Sequence, residues 1–234
     1  MSTRTTDLKE AIDHLPADAV LAIEGVTWEE YEQLLDDLGE APPLRVTYDQ
    51  GRLEIVTTGP GHEANKEFVS ALARILSEEL NVELEARGST TYKGKRYGKG
   101  TEPDTCFYVV DVERVIGKES VVDLNVDPPP DIVVELDFAS DSRNKFSIYS
   151  KFGVPEIWRY VRKLQRCFIY ELRDHTYVEI PASCFFPILT AATLTRFVEE
   201  SKKRGQTKAL SSFRLWVREQ KGNMAEHMKQ MHKR

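Results

Sequence analysis

Apolar residues recur at helical spacing over residues 62–80, where Phe68, Val69, Leu72, Ile75, Leu76 and Leu80 share one stripe. The pattern predicts an amphipathic helix of about five turns packed on a sheet. Upstream, Thr27-Trp28-Glu29-Glu30 has the form of a capping box: Thr27 can accept from the third helical amide while Glu30 reaches back. That helix runs through Leu38 and ends at Gly39. Residues 44–48 and 52–57 are short alternating runs around Asp49-Gln50-Gly51, which predicts a hairpin. After residues 82–92 and a loop rich in Gly and Lys come two strands, 104–110 and 132–136. The second is entered through Asp127-Pro128-Pro129-Pro130, which cannot continue a ladder. Ser140 or Ser142 can cap a helix through Phe152; Gly153 stops it, and Pro155 precedes a strand over 156–161. A hairpin over 166–180, turning at Arg173-Asp174-His175, and helices over about 190–204 and 208–222 complete the chain.

This order of elements suits an α/β fold, a mixed central sheet flanked by helices, with extra hairpins and C-terminal helices. The expected organisation is an N-terminal extension with one helix (1–43), a central α/β domain (44–185) and a C-terminal helical extension with a basic tail (186–234). The 234 residues, 41% apolar and 30% charged, fit a globular chain. No run approaches the ~18 apolar residues of a membrane helix, and the N-terminus has no secretory apolar core. A soluble protein of the cytoplasm is the default expectation. Cys106, Cys167 and Cys184 have neither zinc-finger nor CxxC spacing and read as free thiols. The net charge of -6 is unevenly spread: residues 201–234 carry +8, leaving -14 on the first 200.

Chemistry concentrates in Glu102-Pro103-Asp104 and Val133-Val134-Glu135-Leu136-Asp137. Asp104 starts one strand, Glu135 lies near the end of another, and Asp137 shares the face of Glu135 because side chains alternate with period two. Three converging carboxylates persist only if protonated or neutralised, and a divalent cation with oxygen ligands is a natural neutraliser. The competing reading is a strand end with unrelated surface acids. Taking Leu72 as the centre of the long helix's stripe, His62 falls about 80° off centre and Glu63 about 180°, which makes His62 the better inward candidate. Residues 92–100 set four cations, two aromatics and three glycines just before Asp104. They could contact phosphates or form a solvated turn, but they are not a P-loop.

The stretches GRLEIVTTGPGHE, GSTTYKGKRYGKGTEPDTCFYV and PPPDIVVELDFASDSRNKFSIYSKFGVPEIWRY resemble the bacterial "Uma two" family of restriction-endonuclease-like proteins, a branch of the PD-(D/E)xK nuclease superfamily. The resemblance implies a restriction-endonuclease-like core, DNA as substrate, magnesium or manganese as cofactor, and a homodimer. It makes Pro103-Asp104 the PD element, Glu135 the second carboxylate and Lys145 the lysine, moved from the strand to the following helix. Asp104 and Glu135 would then hold the metal with the Leu136 carbonyl, and Lys145 would position the attacking water. One departure is visible: the usual lysine place, two residues after Glu135, is Asp137. His62-Glu63 stands where the superfamily often has an accessory acid, and Glu54 matches an acidic family position. Two rival readings are a degenerate nuclease core that binds nucleic acid or a partner, and a carboxylate-pair glycosidase, for which no sugar-binding aromatic groove is visible.

Overall fold

The computed structural model of the chain describes residues 9, 11, 12, 14–39, 44–110, 112–117, 122–124 and 126–231. Among the described residues, twelve strands form two six-stranded sheets. In the first, β1 (Val20–Ile23), β2 (Leu44–Asp49), β3 (Arg52–Thr57), β5 (Tyr92–Gly94), β6 (Lys99–Thr101) and β8 (Val122–Asp123) take the order β1-β3-β2-β6-β5-β8. The second contains β4 (Glu85–Ala86), β7 (Thr105–Tyr108), β9 (Ile132–Asp137), β10 (Glu156–Val161), β11 (Arg166–Arg173) and β12 (Thr176–Ile180), ordered β12-β11-β10-β9-β7-β4. β9 and β10 run parallel while their outer neighbours are antiparallel, so this sheet is mixed. The helices are α1 (Trp28–Leu38), α2 (Pro60–Leu80), α3 (Phe146–Phe152), α4 (Ala191–Arg204) and α5 (Gln206–Met231). Among the described residues no helix is long and apolar enough to cross a membrane.

The local signals act as their chemistry requires. Thr27 and Glu30 form the reciprocal capping bonds of α1, at 3.1 and 2.8 Å, and its Trp28, Tyr31 and Leu34 pack on Tyr48, Leu53 and Ile55 of the first sheet. The stripe of α2 lies against Ile132, Val134 and Leu136 of β9 and Trp158 and Tyr160 of β10, with α4 and α5 in the same core. The opposite face of these strands carries Val133 and Ile157, covered by Ile148, Tyr149 and Phe152. Both faces of β9 are therefore dry, which is why all six of its residues are buried. Period-two alternation puts Glu135 and Asp137 beside Val133, away from α2.

Residues 92–100 form the β5–β6 hairpin rather than an open loop, with a single 3-10 turn at Lys95–Tyr97. Its cations are bound within the chain: Lys93 to Glu32 at 3.1 Å, Lys95 to Glu29 at 3.0 Å, Lys99 to Asp49, and Arg96 to the Leu124 carbonyl at 3.2 Å. The basic C-terminal stretch is likewise tied down. Arg214 and Arg218 bind Glu79 of α2 at 2.7 and 2.9 Å, and Lys221 donates to the Glu79 carbonyl. Residues 232–234 of the tail lie outside the described residues.

Candidate active site

β7 lies antiparallel to β9 with Thr105 opposite Val134. Continuing that register by one residue sets Asp104 opposite Glu135, so strand pairing alone gathers the two carboxylates from positions 31 residues apart. Asp104 Oδ2 accepts from the Leu136 amide at 2.7 Å and lies 3.1 Å from His62 Nε2, at the start of α2. Its Oδ1 accepts from Arg45 Nε at 3.2 Å. Glu135 meets Lys145 Nζ at 3.0 and 3.2 Å and accepts from the Tyr149 hydroxyl. Lys145 ends the 3-10 turn Ser142–Lys145 that leads into α3, and it is only 3% exposed. A lysine on the far face of its helix would point into solvent; this one points inward.

These groups face one narrow cavity of about 20 Å³, lined by Arg45, His62, Asp104, Glu135, Leu136 and Lys145, with Asp18, Thr58, Phe138 and Ser140 among the rest of the wall. Asp18 is held there by the Gly59 amide, 3.2 Å from its Oδ1. The space suits one water-sized occupant and not a nucleotide.

Burial opposes the charged form of Asp104, but the His62 hydrogen bond and the nearby Lys145 and Arg45 outweigh it and hold the carboxyl below its ordinary range. Glu135 goes the other way. Burial, reinforced by the Asp104 charge, pushes it up to about 7 against the pull of Lys145 and Tyr149. Burial would lower Lys145, yet the charges of Glu135 and Asp104 win and raise it. It therefore stands as an ammonium, with three donors and no acceptor. The cavity thus sets two unlike carboxylates beside two permanent cations.

Of the residues singled out from sequence, Asp104, Glu135, Lys145 and His62 share this cavity. Asp137 does not line it. Its Oδ2 accepts from Arg159 Nε at 2.8 Å, and its Oδ1 accepts from the Ser142 amide at 3.2 Å. Glu63 accepts from Thr58 at 3.0 Å and pairs with Lys66, outside the cavity wall. Glu54 is buried, but it faces a neighbouring groove with Asp141 and Arg143 and accepts from Asn144 at 3.1 Å.

Two residues escaped sequence reading. Arg45 sits between Leu44 and Val46 on a strand whose alternation reads as one wet face, so it looks solvent-facing; it is instead buried against Asp104 and Glu63. Arg159 was hidden in the same way on β10, where every position but the last is buried. Tyr149, four residues after Lys145, returns to Glu135 because that spacing is one helical turn.

The donors present suit a hard divalent cation. They are carboxylate oxygens, and among the described residues no group of three or more His, Cys, Asp and Glu side chains gathers as a ligand cage. Magnesium-like ions need no such cage: they keep several waters and are often held by one or two carboxylates together with substrate oxygens. Zinc, by contrast, asks for three or four protein ligands. A further mark of an incomplete polar site is His62 Nδ1, which is buried with no hydrogen-bond partner; Glu63 Oε1, 3.5 Å away, is the carboxylate it faces.

A family model described as "Uma2: Putative restriction endonuclease" matches residues 28–199, which include every residue of the cavity wall except Asp18. A crystal structure of "a putative nuclease belonging to DUF820" from Anabaena variabilis is similar in fold, with a TM-score of 0.51 and 17% sequence identity over 74% of this chain and 99% of that one. No curated protein sequence matches the chain.

Proposed function

Since the chain belongs to the Uma2 family of putative restriction endonucleases, we propose that it is a metal-dependent endonuclease that hydrolyses DNA phosphodiester bonds at the Asp104–Glu135–Lys145 cavity. The observation that carries this reading is the Lys145 ammonium, 3.0 Å from Glu135 although it comes from the segment after the strand. The departure at Asp137 therefore leaves the site with a lysine. Asp104 and Glu135, with the Leu136 carbonyl, would hold magnesium or manganese. Such an ion, when bound, polarises a phosphoryl oxygen and makes a water more acidic.

In the hydrolysis itself a water oxygen bonds to phosphorus and one phosphorus–oxygen ester bond breaks. The leaving alkoxide takes a proton, and the second water proton passes to solvent. Lys145 has no lone pair to accept either proton. It orients the attacking oxygen by donating to it and offsets the negative charge that develops nearby. Because the cavity is small, a phosphodiester can present no more than its phosphoryl oxygens to these groups. Cutting both strands of a duplex would call for two copies of the chain, hence a homodimer.

A second reading, a binding module on a nuclease core, is favoured by one observation. Each carboxylate already has a cation, Arg45 for Asp104 and Lys145 for Glu135. The two readings separate in a cleavage assay on single- and double-stranded DNA with magnesium or manganese and with chelator. Cleavage that the chelator stops, and that Asp104→Ala and Glu135→Ala each abolish while remaining folded, is the expected result. Wild-type protein inert under all these conditions favours the module.

A further inference from the structure

Arg45 is a buried cation on the wall of the cavity, 6% exposed. A guanidinium withdrawn from water is costly unless its donors are filled. Arg45 engages Asp104 at 3.2 Å through Nε, the Leu44 carbonyl at 2.8 Å through Nη1, and Glu63 at 3.4 Å through Nη2. Both carboxylates have other partners. Asp104 also has the Leu136 amide and His62, and Glu63 has Thr58 and Lys66. Neither would be left bare if Arg45 found a stronger acceptor.

The charge balance of the cavity supplies that acceptor. Asp104 and Glu135 are matched one for one by Arg45 and Lys145. Once a divalent cation neutralises these two carboxylates, Arg45 and Lys145 are freed from them, with Asp18 the one other acid on the cavity wall. A phosphodiester carries one negative charge, and a second develops as a deprotonated water oxygen adds to phosphorus. Both cations then face the growing negative charge of the phosphorus centre. Lys145 is a point charge, whereas the planar fork of Arg45 can donate to two phosphate oxygens at once.

Resting on the nuclease reading above, we infer that Arg45 is a catalytic residue: it holds Asp104 in the free protein and donates to the non-bridging oxygens of the scissile phosphate when DNA is bound. It neither gives nor takes a proton. The bonds made and broken are those of phosphodiester hydrolysis by water.

The test uses Arg45→Met and Arg45→Lys in the full chain. Manganese alone, titrated by calorimetry, should bind Arg45→Met at least as tightly as wild type, because the cation beside Asp104 is gone. Its kcat/KM for DNA should fall by about 100-fold, the usual loss of one transition-state donor. The log-log salt slope of duplex binding should flatten by about 0.9, one phosphate contact. Arg45→Lys should keep the salt slope but lose about 10-fold in kcat/KM, since an ammonium cannot reproduce the fork. If Arg45→Met does not fold, the Arg45→Lys measurement decides alone. Full activity in either folded variant, or loss of manganese binding together with activity, overturns the inference and makes Arg45 a structural partner of Asp104. A wild-type chain that cleaves nothing defeats the nuclease reading itself, and an unchanged salt slope in Arg45→Met would then also remove the phosphate contact.

Discussion

Replacing Lys145 with methionine tests the cavity through stability, with no substrate needed. The ammonium and Glu135 are 4% and 3% exposed at the side chain. Removing one partner of a buried ion pair leaves the other uncompensated, a cost of about 3–5 kcal/mol. The Tyr149 hydroxyl still donates to Glu135, and Glu135, already pushed up to about 7, can take a proton instead of standing as a bare charge, so the lower end, about 3 kcal/mol, is the better figure. For a chain of this size each kcal/mol shifts the melting temperature by roughly 2–4 °C. Lys145→Met should therefore melt roughly 6–12 °C below wild type in chelator. If the carboxylates hold a divalent cation, manganese at 100 times its dissociation constant returns about 2.7 kcal/mol, most of the deficit. Wild type should gain less at the same concentration, because there Glu135 must exchange Lys145 for the ion. Differential scanning calorimetry at two protein concentrations, with chelator and with manganese, measures all four values. A Lys145→Met protein that melts with wild type in chelator would show the pair to be energetically idle. One that is destabilised but indifferent to manganese would remove the carboxylates as a metal site.

Asp137→Ala should lower thermal stability while leaving manganese affinity within about threefold of wild type, since the side chain neutralises Arg159 outside the cavity wall; a loss of manganese binding comparable to that of Asp104→Ala would return Asp137 to the site. Arg218 and Arg214 hold the Glu79 carboxyl down to about 2 from its ordinary 4.5. A depressed carboxyl contributes stability that is present above its unfolded value and lost as pH falls through the folded one. The melting-temperature gap between wild type and Glu79→Gln should therefore be full at pH 7 and close between about pH 4.5 and 2. A gap of constant size down to pH 2 would show that packing, not charge, docks α5 on α2.

How much of this was legible beforehand follows from which signals are local. The capping box of α1, the stripe of α2 and the hairpin at Asp49-Gln50-Gly51 each rest on residues a few positions apart, and each forms where the pattern sets it. Short edge pieces such as β1, β4 and β8 were not legible, because two to four residues carry too little periodicity and owe their conformation to a partner strand. The hairpin over 92–100 was obscured by its own composition. Four cations and three glycines suggest an open loop, and only the acids at Glu29, Glu32 and Asp49, more than 40 positions upstream, make a closed one affordable. At the site, Asp104, Glu135, Lys145 and His62 could be named from residue type and spacing. Arg45 could not, since an arginine in an alternating strand looks exposed until distant residues, here Asp104 and Glu63, close over it.

The departure at Asp137 has a structural explanation that bears on the lysine. Position 137 shares the face of Glu135, so a lysine there would lie beside it along the strand. In this chain Arg159, directly opposite Glu135 on β10, already brings a cation to that face, and it pairs with Asp137 at 2.8 Å and with Asp141 at 2.8 Å. A lysine at 137 would confront Arg159, whereas an aspartate binds it. The same aspartate accepts from the Ser142 amide, and Asp141 accepts from the Arg143 amide at 3.1 Å, so the two acids shape the 3-10 turn Ser142–Lys145. That turn carries Lys145 inward to Glu135. Asp137 thus trades a cation on the strand for the anchoring of a segment that delivers one, and the aspartate in the usual lysine place and the displaced Lys145 are one arrangement in space.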